Sequence, residues 1–142
     1  MKKKLILKVH NKYDFFELVK NLIDFGYERD DPDSDFGKFS VNGGNITVHV
    51  SGFVNPLRLE FFGDGLEKIS SFDLKTGRKI KEYDEVIINP NILILSDGSK
   101  IKPGGYVVHE DYGIGQFSCF GSKIVEGEEI DYIYLTYLND QQ

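Results

Sequence analysis

The chain has 142 residues, of which 40% are apolar and 28% charged, with a net charge of −6; that suffices for one medium core or two small ones. No apolar run approaches the roughly 18 residues of a membrane span, and a single cysteine, Cys119, excludes a disulfide framework or a cysteine zinc site within one copy. The charge is uneven, with 14 Lys/Arg against 15 Asp/Glu in residues 1–95 and 3 against 8 in residues 96–142. The second part therefore lacks the basic stripe of a duplex binder; its acidity either steers it to a basic protein surface or only keeps it soluble.

In chain order, Met1 to Lys4 carries lysines but no signal-peptide core follows, so a cytoplasmic protein is expected. Leu5 to Val9 reads as a strand. Asn11 can cap a helix, with Asp14 as the capping-box acid. Phe15, Leu18, Val19, Leu22, Ile23 and Phe25 then recur at helical spacing, and Gly26 can end the helix. Asp30 to Asp35 reads as an exposed loop whose register does not fit a calcium loop.

Strand patterns follow at Lys38 to Val41, Ile46 to Val50, Leu57 to Phe62, Leu66 to Phe72 and Val86 to Ile88. Asn42-Gly43-Gly44, Gly63-Asp64-Gly65 and Asp73 to Gly77 supply turns. Beyond Ile101 come an apolar strand, Tyr106 to His109, and a glycine-interrupted one, Tyr112 to Phe120. A polar loop is expected over Gly121 to Glu129, then a strand over Ile130 to Leu138. The expected class is α+β: an antiparallel sheet with one N-terminal amphipathic helix, followed by a small bent all-β barrel-like unit that reads as truncated. The expected boundaries are 1–95, a linker at 96–100, and 101–142.

No catalytic constellation stands out. His10, His49 and His109 lack metal-ligand spacing, and Glu110 and Asp111 fall on opposite faces of an extended strand. No cofactor and no metal are expected. Arg58 and Glu60 share the strand face opposite Leu57, Leu59 and Phe61, where the guanidinium fork suits a carboxylate. Of the adjacent Phe61 and Phe62, one must enter the core and the other needs cover.

Two stretches resemble known modules. Gly26-Tyr27-Glu28-Arg29, Gly37 to Gly43, Pro56 to Asp64, Leu66 to Ile69 and Phe72 to Gly77 together resemble the module shared by the bacterial transcription-repair coupling factor and the nucleotide-excision-repair helicase. The resemblance implies binding to the damage-recognition ATPase of excision repair through Arg58 and Glu60. Phe36 and Asn42 stand where the family often has arginines, so two donors for an acidic partner are absent. Lys102-Pro103-Gly104, Val107 to Gly115 and Tyr132 to Tyr137 resemble the RNA polymerase interacting domain of coupling factors. That implies docking on the polymerase β subunit. The contact surface expected on this part is Phe117, Cys119, Phe120 and the exposed face of Ile130 to Tyr137, with Tyr132, Tyr134 and Leu135 named from it.

The combined reading is a non-catalytic interaction region that docks on RNA polymerase. Binding of the damage-recognition ATPase, or a rigid spacer for an absent ATP-driven translocase motor, stands as the alternative. Neither nucleic-acid nor membrane binding is expected of this segment.

Overall fold

The structure is a computed structural model that describes residues 4–95, 97–109 and 113–137. Its α-helix is Phe15–Asp24 (α1). Asp14, not Asn11, is the N-cap: its Oδ1 accepts from the N–H groups of Phe16 at 3.0 Å and Glu17 at 3.1 Å. A capping side chain must directly precede the first helical residue. Asn11 lies too far upstream, in a strap whose carbonyl accepts from the Leu66 N–H. Gly26, at φ +92°, stops the helix in a conformation that L side chains rarely adopt.

The first eight strands are β1 (Leu5–Lys8), β2 (Glu28–Arg29), β3 (Lys38–Asn42), β4 (Asn45–Val48), β5 (Leu57–Phe62), β6 (Gly65–Phe72), β7 (Lys79–Tyr83) and β8 (Glu85–Ile88). β2 to β7 form one six-stranded sheet in chain order, antiparallel except for the two-residue β2. β1 and β8 pair separately, Leu5 opposite Ile88. Alternation decides the faces: Leu57 and Leu59 are buried while Arg58 and Glu60 are half-buried. Leu18 and Leu22 of α1, Ile46, Leu59 and Ile69 of the sheet, and Leu7 and Ile88 of the β1–β8 ribbon join in one core. Helix and ribbon thus cover one sheet face. β7 prints no strand pattern in the sequence, because Lys-Ile-Lys-Glu-Tyr has no buried face to set a period. It is an edge strand, where exposed lysines discourage pairing with other chains.

The remaining strands are β9 (Leu93–Ile94), β10 (Lys100–Ile101), β11 (Tyr106–His109), β12 (Gly113–Val125) and β13 (Glu128–Tyr137). β9 and β10 form a small hairpin, and β11-β12-β13 an antiparallel sheet. As expected of a truncated barrel-like unit, this sheet is not closed: among the described residues β11 and β13 remain edges. The polar loop at 121–129 is instead a continuous hairpin. Glu126 (φ +52°) and Gly127 (φ +82°) make a two-residue turn, which leaves both flanks free to pair. A register slip at Ser118, between Phe117 and Cys119, puts a bulge in β12. Glu110, Asp111, Tyr112 and Leu138 lie outside the described residues.

The second core is small: Leu93, Phe117 and Phe120 are buried, with Leu95, Ile101, Val107 and Leu135 against them. Most stability therefore resides in the first core. Leu22 has no exposed surface, so Leu22→Ala is expected to lower the unfolding free energy by about 2–5 kcal/mol, measured by denaturant titration.

Candidate functional site

Two surfaces and the seam between them carry the features of interest. On the uncovered face of the six-stranded sheet, Arg58 stands between Thr47 and Ser70, and Glu60 between Asn45 and Lys68. The Arg58 guanidinium lies 4.6 Å from the Phe72 ring centroid, a cation–π contact that orients it. Neither Arg58 nor Glu60 makes an ion pair among the described residues, whereas nearby Glu82 is paired with Lys79 and, at 3.7 Å, with Lys68. Phe62, next on this face, is 84% exposed. Phe61 turns inward and meets Phe15 edge-on at 5.4 Å. The expected division of the two phenylalanines is what the strand adopts. Phe72, which presets Arg58, is not among the residues the sequence points to, because spacing along one strand does not reveal a neighbour supplied by the next.

In the β11–β13 sheet the register separates two faces. Val107, Gly115, Phe117, Leu135 and Tyr137 share one; Tyr106, Val108, Ile114, Tyr134, Tyr132 and Ile130 share the other. The first is covered by the β9–β10 hairpin through Phe117, Leu93 and Ile101. On the second, Val108 is 80% exposed, and Tyr106, Ile114, Ile130 and Tyr134 are exposed too. Tyr132 and Tyr134 meet edge-on at 5.0 Å. Gly121 leaves the space the Tyr132 ring fills, since a Cβ there would lie 2.3 Å from it. Burial, then the hydroxyl of Tyr134, pushes the Tyr132 phenol up.

The expected contact residues are thus split. Phe117, Cys119 and Phe120 are at most 5% exposed, so they are not docking surface. Phe117 and Phe120 hold the sheet together from beneath, and Cys119 is covered opposite Tyr134, its cross-strand neighbour. Burial also pushes the Cys119 thiol up, keeping it neutral. Leu135 belongs to the covered face and is half-buried. Tyr132, Tyr134 and Ile130 lie on the open face with three residues outside the expected set, Tyr106, Val108 and Ile114. Their signal is alternation across paired strands, which becomes legible only once the register is known.

The seam between the units is polar. Ser51 Oγ accepts from the Phe120 N–H at 3.0 Å, the Ser122 hydroxyl reaches Asn89 Oδ1 at 3.2 Å, and Lys4 pairs with Asp131 at 2.9 Å. Beside it opens a cleft of about 480 Å³ lined by Ser51, Lys81, Tyr83, Asn89, Ser122 and Tyr132, among others. His49 is buried and held between the carbonyls of Asp33 and Phe53, so its ring joins two loops. Among the described residues no group of three or more His, Cys, Asp or Glu is arranged to hold a metal ion. No helix there is long and apolar enough to cross a membrane.

Comparison with known proteins gives two matches along the chain. Residues 5–93 match the UvrB interaction domain family, and residues 101–142 match the CarD-like/TRCF RID domain. Relatives named UvrABC system protein B include one from Campylobacter hominis, 29% identical over 128 residues, or 89% of this chain and 20% of that protein. Another, from Methanothermobacter thermautotrophicus, is 39% identical over 74 residues, 52% of this chain and 12% of the relative. One from Clostridium perfringens is 41% identical over 75 residues, 52% and 11% of the two chains. The chain spans about a fifth or less of the length of these relatives. The two matched stretches are both interaction domains, one of them RNA-polymerase-interacting.

At the seam Gly52, at φ +92°, approaches so closely that a Cβ would lie 2.6 Å from the Phe120 carbonyl oxygen. Gly52→Ala adds backbone strain to that collision and should lower stability by more than about 1 kcal/mol, read as a drop in the thermal midpoint.

Proposed function

The chain belongs to the UvrB interaction domain family, with an RNA-polymerase-interacting domain behind it, and from that premise we propose that it docks RNA polymerase through the open face of its β11–β13 sheet, in the manner of a transcription-repair coupling factor. Within the polymerase, the β subunit is the part it meets. Residues 1–95 and 101–142 are the two working parts. The observation that carries this reading is the exposed row Val108, Ile114, Tyr106, Tyr134 and Ile130 on one sheet face. Rigid aromatic and aliphatic side chains on a sheet give large contact area at little entropic cost, and such anchors dominate binding energy. The acidic balance of residues 96–142 favours a partner with a basic rim and speeds encounter more than it adds affinity.

A specific observation favours a second contact. Arg58 is held over Phe72 beside Glu60, neither of them ion-paired among the described residues, with exposed Phe62 next to them. This preset donor–acceptor pair suits a charged groove on the damage-recognition ATPase of excision repair. Phe36 packs edge-on against His49 at 5.1 Å and Asn42 is exposed on β3, so recruitment rests on the β5 stripe without the two arginines.

Val108 is too exposed for its replacement to disturb the core. Val108→Asp is expected to raise the dissociation constant for RNA polymerase, and for its isolated β subunit, by about tenfold or more; an unchanged constant in titration calorimetry rejects the face. Arg58→Glu should weaken binding to the damage-recognition ATPase by a comparable factor and leave polymerase binding untouched. Equal affinity of the variant and the natural chain for that ATPase would remove the second contact.

A further inference from the structure

A buried hydroxyl needs both its proton and its lone pair satisfied by the protein. The Tyr27 hydroxyl, on a side chain only 2% exposed, donates to the Asn89 carbonyl at 2.8 Å and accepts the Ser51 N–H at 2.9 Å. Each of those residues reaches on into the second unit. Ser51 Oγ accepts from the Phe120 N–H at 3.0 Å, and its own proton faces the Phe120 carbonyl at 3.5 Å. Asn89 Oδ1 meets the Ser122 hydroxyl at 3.2 Å, and Asp131, 2.7 Å from that hydroxyl, shares the same proton. Phe120 and Ser122 lie on the part of β12 beyond Phe117, where β11 and the turn before it no longer pair with it. Ser51 supplies a hydrogen-bond partner to this stretch of β12.

We infer that the Tyr27 hydroxyl is a positioning group: through Ser51 and Asn89 it fixes the β11–β13 sheet against the six-stranded sheet, and so sets the angle between the two docking faces. The joint stands on intramolecular hydrogen bonds; only its consequence for docking rests on the function proposed above. Burial pushes the phenol well above its usual range, against a weaker pull from the Ser51 backbone, with a small further push from Cys119 across the seam. The hydroxyl thus keeps its proton at physiological pH and the joint does not open by titration. The Lys4–Asp131 pair at the same seam is partly exposed and so contributes little.

Tyr27→Phe keeps the ring and removes only the hydroxyl. In hydrogen–deuterium exchange of the full chain, with no partner present, it should speed exchange of the Phe120 amide by about tenfold while the Ile46 and Leu59 amides of the first core keep their rates. Ser51→Ala, which removes the anchor directly, should speed the Phe120 amide to the same extent. An unchanged Phe120 rate in either variant overturns the joint. So does a uniform rise across both cores, which would make Tyr27 a core support only. Because no polymerase enters the measurement, its failure is distinct from failure of the docking face, which the Val108 titration reads.

Discussion

A sheet of three strands with one apolar face left open cannot hold itself in place. Among the described residues fourteen buried side chains form the first core and three the second. At about 25 cal/mol per Å² of apolar surface buried, the smaller cluster opposes little of the entropy lost in ordering its strands. The β11–β13 sheet therefore depends on the larger unit beside it. That dependence is met by polar groups, because the surfaces that meet are a backbone edge of β12 and the loop around Ser51 and Gly52. Hydrogen bonds to such an edge are directional, so they position as well as attach.

The same constraint leaves one face free. Phe117, Phe120 and Leu135 are used up in attaching the sheet, while Val108, Ile114, Tyr106 and Tyr134 are not. An exposed row of this kind is a liability unless a partner covers it. The six-stranded sheet makes the complementary compromise: its covered face is apolar, and its open face is polar with Arg58 laid over Phe72. The chain thus presents an apolar surface on one sheet and a charged one on the other.

Much of the fold is legible from residue order. The helix, the strands Lys38 to Phe72 and the strand before Asn89 each print a clear period, because each has one face in a core. β7 is illegible for the opposite reason, being exposed on both faces. The stretch 121–129 misleads because its polar composition reads as a loop, whereas a ribbon of two strands joined by Glu126 and Gly127 tolerates polar residues on either side. Asn11 reads as the cap and Asp14 as its capping-box acid, and only the position of the first helical turn shows that Asp14 itself is the cap. At the candidate site, Arg58, Glu60, Tyr132 and Tyr134 stand out by type and spacing. Phe117, Cys119 and Phe120 look like surface residues from the sequence because the slip at Ser118 and the covering hairpin are properties of pairing. The tie from Tyr27 to Ser51 and Asn89 spans distances in sequence that no local pattern records.

The most direct measurement is amide chemical-shift mapping of the chain titrated with the isolated polymerase β subunit. The account predicts that the perturbed amides cluster at Tyr106 to Val108, at Ile114 and along Ile130 to Tyr134, with β3 to β6 unaffected. Perturbations confined to the six-stranded sheet, or none at saturating polymerase concentration, would contradict it.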